Sequence, residues 1–203
     1  AVFLMNWRRV MNRIIYLEGS RAVGKTTLLQ NIKKQHPEYI IIDGSARKEY
    51  SFDNTNLDEY LINEKLYLAC NVAQYEVLRT VDTTVIIVKG PYTDAFYAER
   101  FGKKQFGDAF LEREEINEYL ERAMNCEPDM IIYLDACVEV ILSRYKSDIK
   151  VRSSMHQFMS DWLVPFEQFY KENRKTRIID TNSKTADEVC FELMNLLEQG
   201  ENK

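Results

Sequence analysis

The feature that most constrains this chain is the octapeptide GSRAVGKT at residues 19–26. It fits the pattern G-x-x-x-x-G-K-[ST]. An apolar run, RIIYLE at 13–18, precedes it, and an amphipathic stretch at 26–34, with Leu28, Leu29 and Ile32 apolar, follows it. A strand feeding a glycine turn that opens a helix is the context this pattern requires. Gly19 and Gly24 permit backbone angles that other residues resist. The backbone N–H groups of Ser20, Arg21, Ala22, Val23 and Gly24 can then curl round an anion, with the positive end of a helix dipole behind them. Lys25 is placed to reach the β- and γ-phosphates of a nucleotide and the Thr26 hydroxyl to ligate magnesium, with Thr27 counted among the nucleotide-binding residues. The expectation is a nucleotide-binding phosphate loop of the Walker A type.

Four more apolar runs follow, at 39–43 (YIIID), 84–89 (TVIIVK), 130–135 (MIIYLD) and 176–180 (TRIID). None alternates strictly with polar residues, which fits strands buried on both faces of a parallel sheet. Helical patterns lie between them, at 56–80, 112–124, 138–145, 154–172 and 185–199. Asn56 with Glu59, and Thr185 with Glu188, read as N-terminal caps. Pro165 is expected to kink or start the helix that contains it. Alternating strands and helices predict a βαβ architecture. No linker or repeat divides the chain, so 13–203 reads as one domain and 1–12 as an N-terminal extension. That extension carries an apolar patch before Arg8 and Arg9, the reverse of a signal peptide.

The net charge of −5 over 203 residues excludes a general nucleic-acid binder, which needs a basic footprint. It leaves room for a local basic pocket. Cys70, Cys126, Cys137 and Cys190 are widely spaced, and His36 and His156 lie far apart, so no zinc-ligand spacing is present. Four reduced thiols in a cytoplasmic protein is the expected state. No apolar run approaches the roughly 20 residues of a membrane span.

The segment IIYLEGSRAVGKTTLL resembles the opening of deoxynucleoside kinases and thymidylate kinases, including the glutamate, here Glu18, before the first glycine. IVKGPYTDAFYAERFG at 87–102 resembles the segment after the third strand in those kinases, and also that of a broader group of AAA-like nucleoside and ribosylnicotinamide kinases. The stretch 130–154 resembles their fourth strand, its helix and an arginine-bearing lid at about 144–154, and 176–189 resembles the fifth strand and final helix. The resemblance implies a three-layer P-loop fold with a five-stranded parallel sheet in the order 2-3-1-4-5 and helices on both faces. It implies an ATP- and Mg2+-dependent phosphotransferase acting on a small-molecule nucleoside or nucleoside monophosphate.

Site residues follow from the same resemblance. Where those kinases end the third strand in an acid and an arginine, this chain has Val88 and Lys89, and Lys89 can hold phosphate as a point charge. Asp94 matches an aspartate common in that region. Asp43, ending the second strand, takes the place of the glutamate that serves as general base, or else caps the turn before Gly44. Arg47 is a substrate-side cation or a solvated arginine. Tyr92 and Tyr97, with Phe96, either stack on a base or form the inner face of a helix. In the basic lid, Arg144 and Arg152 suit bidentate contact with the transferring phosphate. Asp135 and Glu18 are further choices beside magnesium.

Two other functions compete. Val88 in place of an acid suits a nucleotide-binding switch or degenerate kinase. A kinase acting on a base or sugar within a polynucleotide is opposed by the net charge. No N-K-x-D guanine motif follows a strand, which opposes a signalling GTPase. The helix at 56–80 offers a face for a homodimer.

Overall fold

The computed structural model describes residues 13–43, 52–53, 55–144 and 162–199. The expected N-terminal extension, Arg47, Arg152 and the lid beyond Arg144 lie outside these residues.

Five strands form one sheet: β1 (Arg13–Gly19), β2 (Ile40–Asp43), β3 (Thr84–Val88), β4 (Met130–Asp135) and β5 (Thr176–Asp180). All neighbouring pairs are parallel, in the order β2-β3-β1-β4-β5. The order 2-3-1-4-5 expected from the resemblance is therefore present. Eight helices accompany the sheet among the described residues: α1 (Lys25–Gln35), α2 (Leu57–Leu78), α3 (Pro91–Phe106), α4 (Asp108–Leu111), α5 (Glu114–Met124), α6 (Val138–Arg144), α7 (Val164–Lys171) and α8 (Ala186–Gln199).

The unbroken apolar runs have a simple explanation. Alternate residues of each strand enter two different cores. Ile14, Tyr16, Val85, Ile87, Ile131 and Tyr133 pack on one face with α2, α3, α5 and α7. Ile15, Leu17, Ile86, Val88, Ile132 and Leu134 pack on the other with α1, α6 and α8. Both faces of the central strands are thus dry, so apolar residues fill both phases of the pleat except near the strand ends, at Thr84 and Glu18.

Local signals set several boundaries. The Asn56 side chain accepts from the N–H groups of Asp58 and Glu59 at 3.0 and 3.2 Å. Glu59 reaches back past the cap to the Asp53 N–H instead of closing a box on Asn56. Before α8, Thr185 and Glu188 exchange both bonds of a capping box. Pro165 sits in the first turn of α7, after a wide π-helical turn at Trp162 and Leu163, so it starts the helix. α3 occupies a stretch where periodicity marks no separate helix. Its signal is Gly90 at the N-cap followed by Pro91 at the first helical position.

Candidate active site

The site lies at the carboxyl ends of the strands, where open α/β sheets place their ligands. β1 runs one residue further than its apolar pattern, to Gly19, which pairs with Leu134 of β4. At Gly19 φ is 133°, and a Cβ there would come within 2.4 Å of the Leu134 carbonyl oxygen. Only glycine fits this close approach. The chain then turns through Ala22 at φ 61° and Gly24 at φ 104° before α1 begins at Lys25. A non-glycine residue in the left-handed region costs about 1–3 kcal/mol, strain characteristic of ligand-holding loops. Lys25 Nζ donates to the carbonyl oxygens of Gly19 and Ser20, both at 2.7 Å, and so straps the loop from inside.

Two cavities open beside this loop. The first, about 570 Å³, is lined by residues 21–29, Asp43, Val88, Arg144, Thr181 and Lys184 among others. The second, about 550 Å³, is walled by Tyr60, Asn63, Glu64 and Tyr67 of α2, Tyr97 and Phe101 of α3, and Trp162 and Phe166. Arg21, Lys25 and Lys89 line both. The cavities therefore meet at three cations. Lys89, just past β3, adopts φ 56°, which is uncommon for a lysine. Burial pulls the Lys25 ammonium below its ordinary value, with Lys89 and Arg21 adding to the fall while Glu18 and Asp43 oppose it. An anion at the junction would relieve that crowding of positive charge.

Arg144 at the end of α6 is docked onto the site. Its guanidinium donates to the Thr181 carbonyl at 2.7 Å, the Thr181 hydroxyl at 3.2 Å and the Ala22 carbonyl at 3.3 Å. It joins the loop to the turn between β5 and α8. Asp43 ends β2 on the same rung as Val88, and Val88 is on the same rung as Leu17. The rung that holds a valine on β3 thus holds a carboxylate one strand away.

Glu18 is fully buried beneath the loop. It accepts from the Gly90 N–H at 2.9 Å and pairs with the Thr93 hydroxyl at 2.8 Å. Thr93 in turn meets the Tyr170 hydroxyl at 2.7 Å. Each hydroxyl has one proton, so an ionised Glu18 requires Tyr170 to donate to Thr93 and Thr93 to donate to Glu18. Burial raises the Glu18 carboxyl well above the ordinary range, while the bonds from Thr93 and Gly90 and the nearby Lys25 partly offset this. The chain ties the loop, the start of α3 and α7 into one unit.

The residues named from the sequence divide by position. The loop residues Arg21 to Thr27, Asp43, Lys89 and Arg144 line the first cavity, and Gly19, Ser20 and Tyr97 line the second. Tyr92 and Asp94 are brought to neither. Tyr92 is buried edge-on against Tyr16, and Asp94 accepts from Asn71 in the interior. Pro91 fixes where α3 starts and hence which face Tyr92 and Asp94 take. Asp135 is bonded to Lys171 at 2.9 Å, outside both cavities. The sequence reading missed the α2 wall of Tyr60, Asn63, Glu64 and Tyr67. Their i, i+3, i+4, i+7 spacing was the available signal. Among the described residues no three of His, Cys, Asp and Glu converge as a metal cluster, and no helix is long and apolar enough to cross a membrane.

No protein-family model matches the chain, and no curated protein matches its sequence. Solved structures do. Thymidylate kinase from Candida albicans superposes with a TM-score of 0.64 at 19% identity, covering 95% of this chain and 93% of that one. Deoxyadenosine kinase from M. mycoides, solved with bound dATP, gives a TM-score of 0.58 at 18% identity, covering 91% of this chain and 99% of that one. The fold is that of the P-loop nucleoside and nucleotide kinases. In this fold the docked Arg144 lines the first cavity, the aromatic walls line the second, and the strap lysine Lys25 lies between the two.

Proposed function

We propose that the protein is an ATP-dependent phosphotransferase whose acceptor is a nucleoside or nucleoside monophosphate. The observation that carries this reading is the meeting of two cavities of similar size at Arg21, Lys25 and Lys89. The first, floored by the glycine loop and the N-terminal end of α1, suits the polyphosphate of a donor. The second, walled by aromatic rings, suits a flat base. Phosphoryl transfer asks a protein mainly for positioning and charge neutralisation, and three cations at the junction of donor and acceptor supply both.

Magnesium fits the donor cavity. The Thr26 hydroxyl and the Asp43 carboxylate line it, and both are hard oxygen ligands. Bound there with the phosphates, magnesium would supply charge neutralisation. Asp43 is accordingly assigned to the metal side, because it lines the donor cavity and not the acceptor cavity. Lys25 holds the terminal phosphates, Lys89 and Arg21 steady the transferring group, and Arg144 anchors the loop to the β5–α8 turn. Arg47 and Arg152 stay as proposed substrate-side and lid cations.

The test is product analysis of MgATP incubated with a panel of nucleosides and nucleoside monophosphates, with ATP binding measured separately by calorimetry. A phosphorylated acceptor from the panel supports the reading. ATP binding without any phosphorylated acceptor defeats it and favours a nucleotide-binding switch.

A further inference from the structure

We infer that Glu18 is a positioning residue: its carboxyl group, buried beneath the phosphate loop, holds the turn after β3 so that Lys89 stands where the two cavities meet. The inference rests on the kinase reading above, which puts a polyphosphate over the loop.

A carboxyl group in this place needs a reason. Glu18 is fully buried and lines neither cavity, so it touches no ligand. Burial opposes its charge, and that charge in turn opposes an anion bound above it. An apolar residue at the end of β1 would avoid both costs. The bonds of Glu18 show what it does instead. Oε1 accepts from the Gly90 N–H at 2.9 Å, and Oε2 meets the Thr93 hydroxyl at 2.8 Å. Gly90 is the N-cap of α3 and offers no capping side chain, and Thr93 is the third helical residue. Glu18 therefore does from β1 what the third-position glutamate of a capping box does from within a helix.

Lys89 immediately precedes Gly90. Among the described non-glycine residues, only Ala22 and Lys89 have positive φ, 61° and 56°. Such a conformation persists only where the surroundings over-determine it. On one side Val88 is fixed in the sheet between Asp43 and Leu17. On the other side Gly90 is held by Glu18 and lies so close to the Tyr16 ring that a Cβ would come within 2.9 Å of it. Lys89 is clamped between these two fixed residues and lines both cavities. Glu18 is also bonded through the chain to Gly19, whose carbonyl accepts from Lys25 at 2.7 Å. One side chain thus sets the place of the β3 lysine relative to the loop lysine.

Calorimetry with MgATP and with inorganic tripolyphosphate tests this, because charge and position predict opposite signs. If Glu18 acted only as a charge, its removal would tighten polyphosphate binding. We expect Glu18→Leu to weaken it about 10-fold, whereas the conservative Glu18→Gln, whose amide oxygen still accepts from Gly90, restores the parent affinity or exceeds it. Lys89→Met should also cost about 10-fold, and the double variant Glu18→Leu/Lys89→Met no more than either alone, since both losses pass through one cation. Circular dichroism melts check folding. If Glu18→Leu does not fold, Thr93→Val is compared with Thr93→Ser, and only the valine variant should bind more weakly. Tighter binding by Glu18→Leu, a Glu18→Gln variant as weak as Glu18→Leu, or losses that multiply to about 100-fold in the double variant would each overturn the inference. Equal affinities of the two Thr93 variants would overturn it as well. If the parent binds MgATP and phosphorylates no acceptor, the kinase reading fails while these affinities still decide the role of Glu18. If it binds neither polyphosphate, both readings fail.

Discussion

Asp43 and Val88 stand on the same rung of the sheet, as partners between β2 and β3. Both line the cavity that holds Lys25 and Thr26. A carboxylate missing from one strand end is thus available from its neighbour, because parallel partners on one rung present side chains to the same face.

Asp43→Asn should therefore lower the transfer rate on the order of 10²-fold and raise the magnesium concentration needed for half-maximal rate, since an amide is a weaker ligand for a hard cation. Initial rates across a magnesium titration distinguish this from a general-base role. A base would show as a displaced acid limb of the pH–rate profile with the magnesium requirement unchanged.

Lys25→Met should separate function from stability. The ammonium is held in a partly buried site beside Arg21 and Lys89, and its lowered value means that the folded state disfavours its charge. Its removal should cost transfer about 10²–10³-fold, the scale seen when a preorganised charge-stabilising donor is lost. The melting temperature in the absence of nucleotide should not fall. A loss of several degrees would show that the strap to Gly19 and Ser20 outweighs the electrostatic relief.

Glu18→Gln should change how stability depends on pH. Burial raises the folded-state value of this carboxyl above its unfolded one. Below the ordinary glutamate value both states are protonated, and the full contribution is present. As pH rises toward the raised folded value, the unfolded state releases a proton that the folded state retains, and stability falls. The variant lacks that loss. Its melting temperature relative to the parent protein should climb between mildly acidic and neutral pH. A difference independent of pH would mean that Glu18 is ionised throughout and held by Thr93 and Gly90.

The two loop glycines should respond differently to alanine. At Gly19 a Cβ would press on the Leu134 carbonyl at 2.4 Å, a backbone atom that cannot swing away. The cost should be about 2–4 kcal/mol, with the β1–β4 ladder disturbed. At Gly24 nothing lies within 4 Å of such a Cβ, so only the positive φ opposes the change, at about 1–2 kcal/mol. Urea unfolding of both variants tests the order, and an equal loss would contradict the packing argument.

Sequence by itself determined what is local. The spacing of Gly19, Gly24, Lys25 and Thr26 specifies a turn and a helix start, because backbone freedom and a missing Cβ are properties of single residues. The five apolar runs specify strands, but only β1, β3 and β4 are dry on both faces; β2 and β5, expected to be buried alike, lie at the sheet edges and stay partly or largely exposed. Caps at Asn56 and Thr185 are equally short-ranged. Tertiary structure decided which side chains share a cavity. The spacing within α2 does not reveal that Asn63 and Glu64 are buried and share a cavity wall with Tyr97, Phe101 and Trp162 from other elements. Tyr92 and Asp94 read as site residues, yet they turn inward because Pro91 sets the phase of α3. Likewise the carboxylate beside Val88 comes from a strand 45 residues earlier, and only the pairing of β2 with β3 brings it there. Periodicity reports that a face is polar or apolar; what covers that face depends on contacts between elements far apart in the chain.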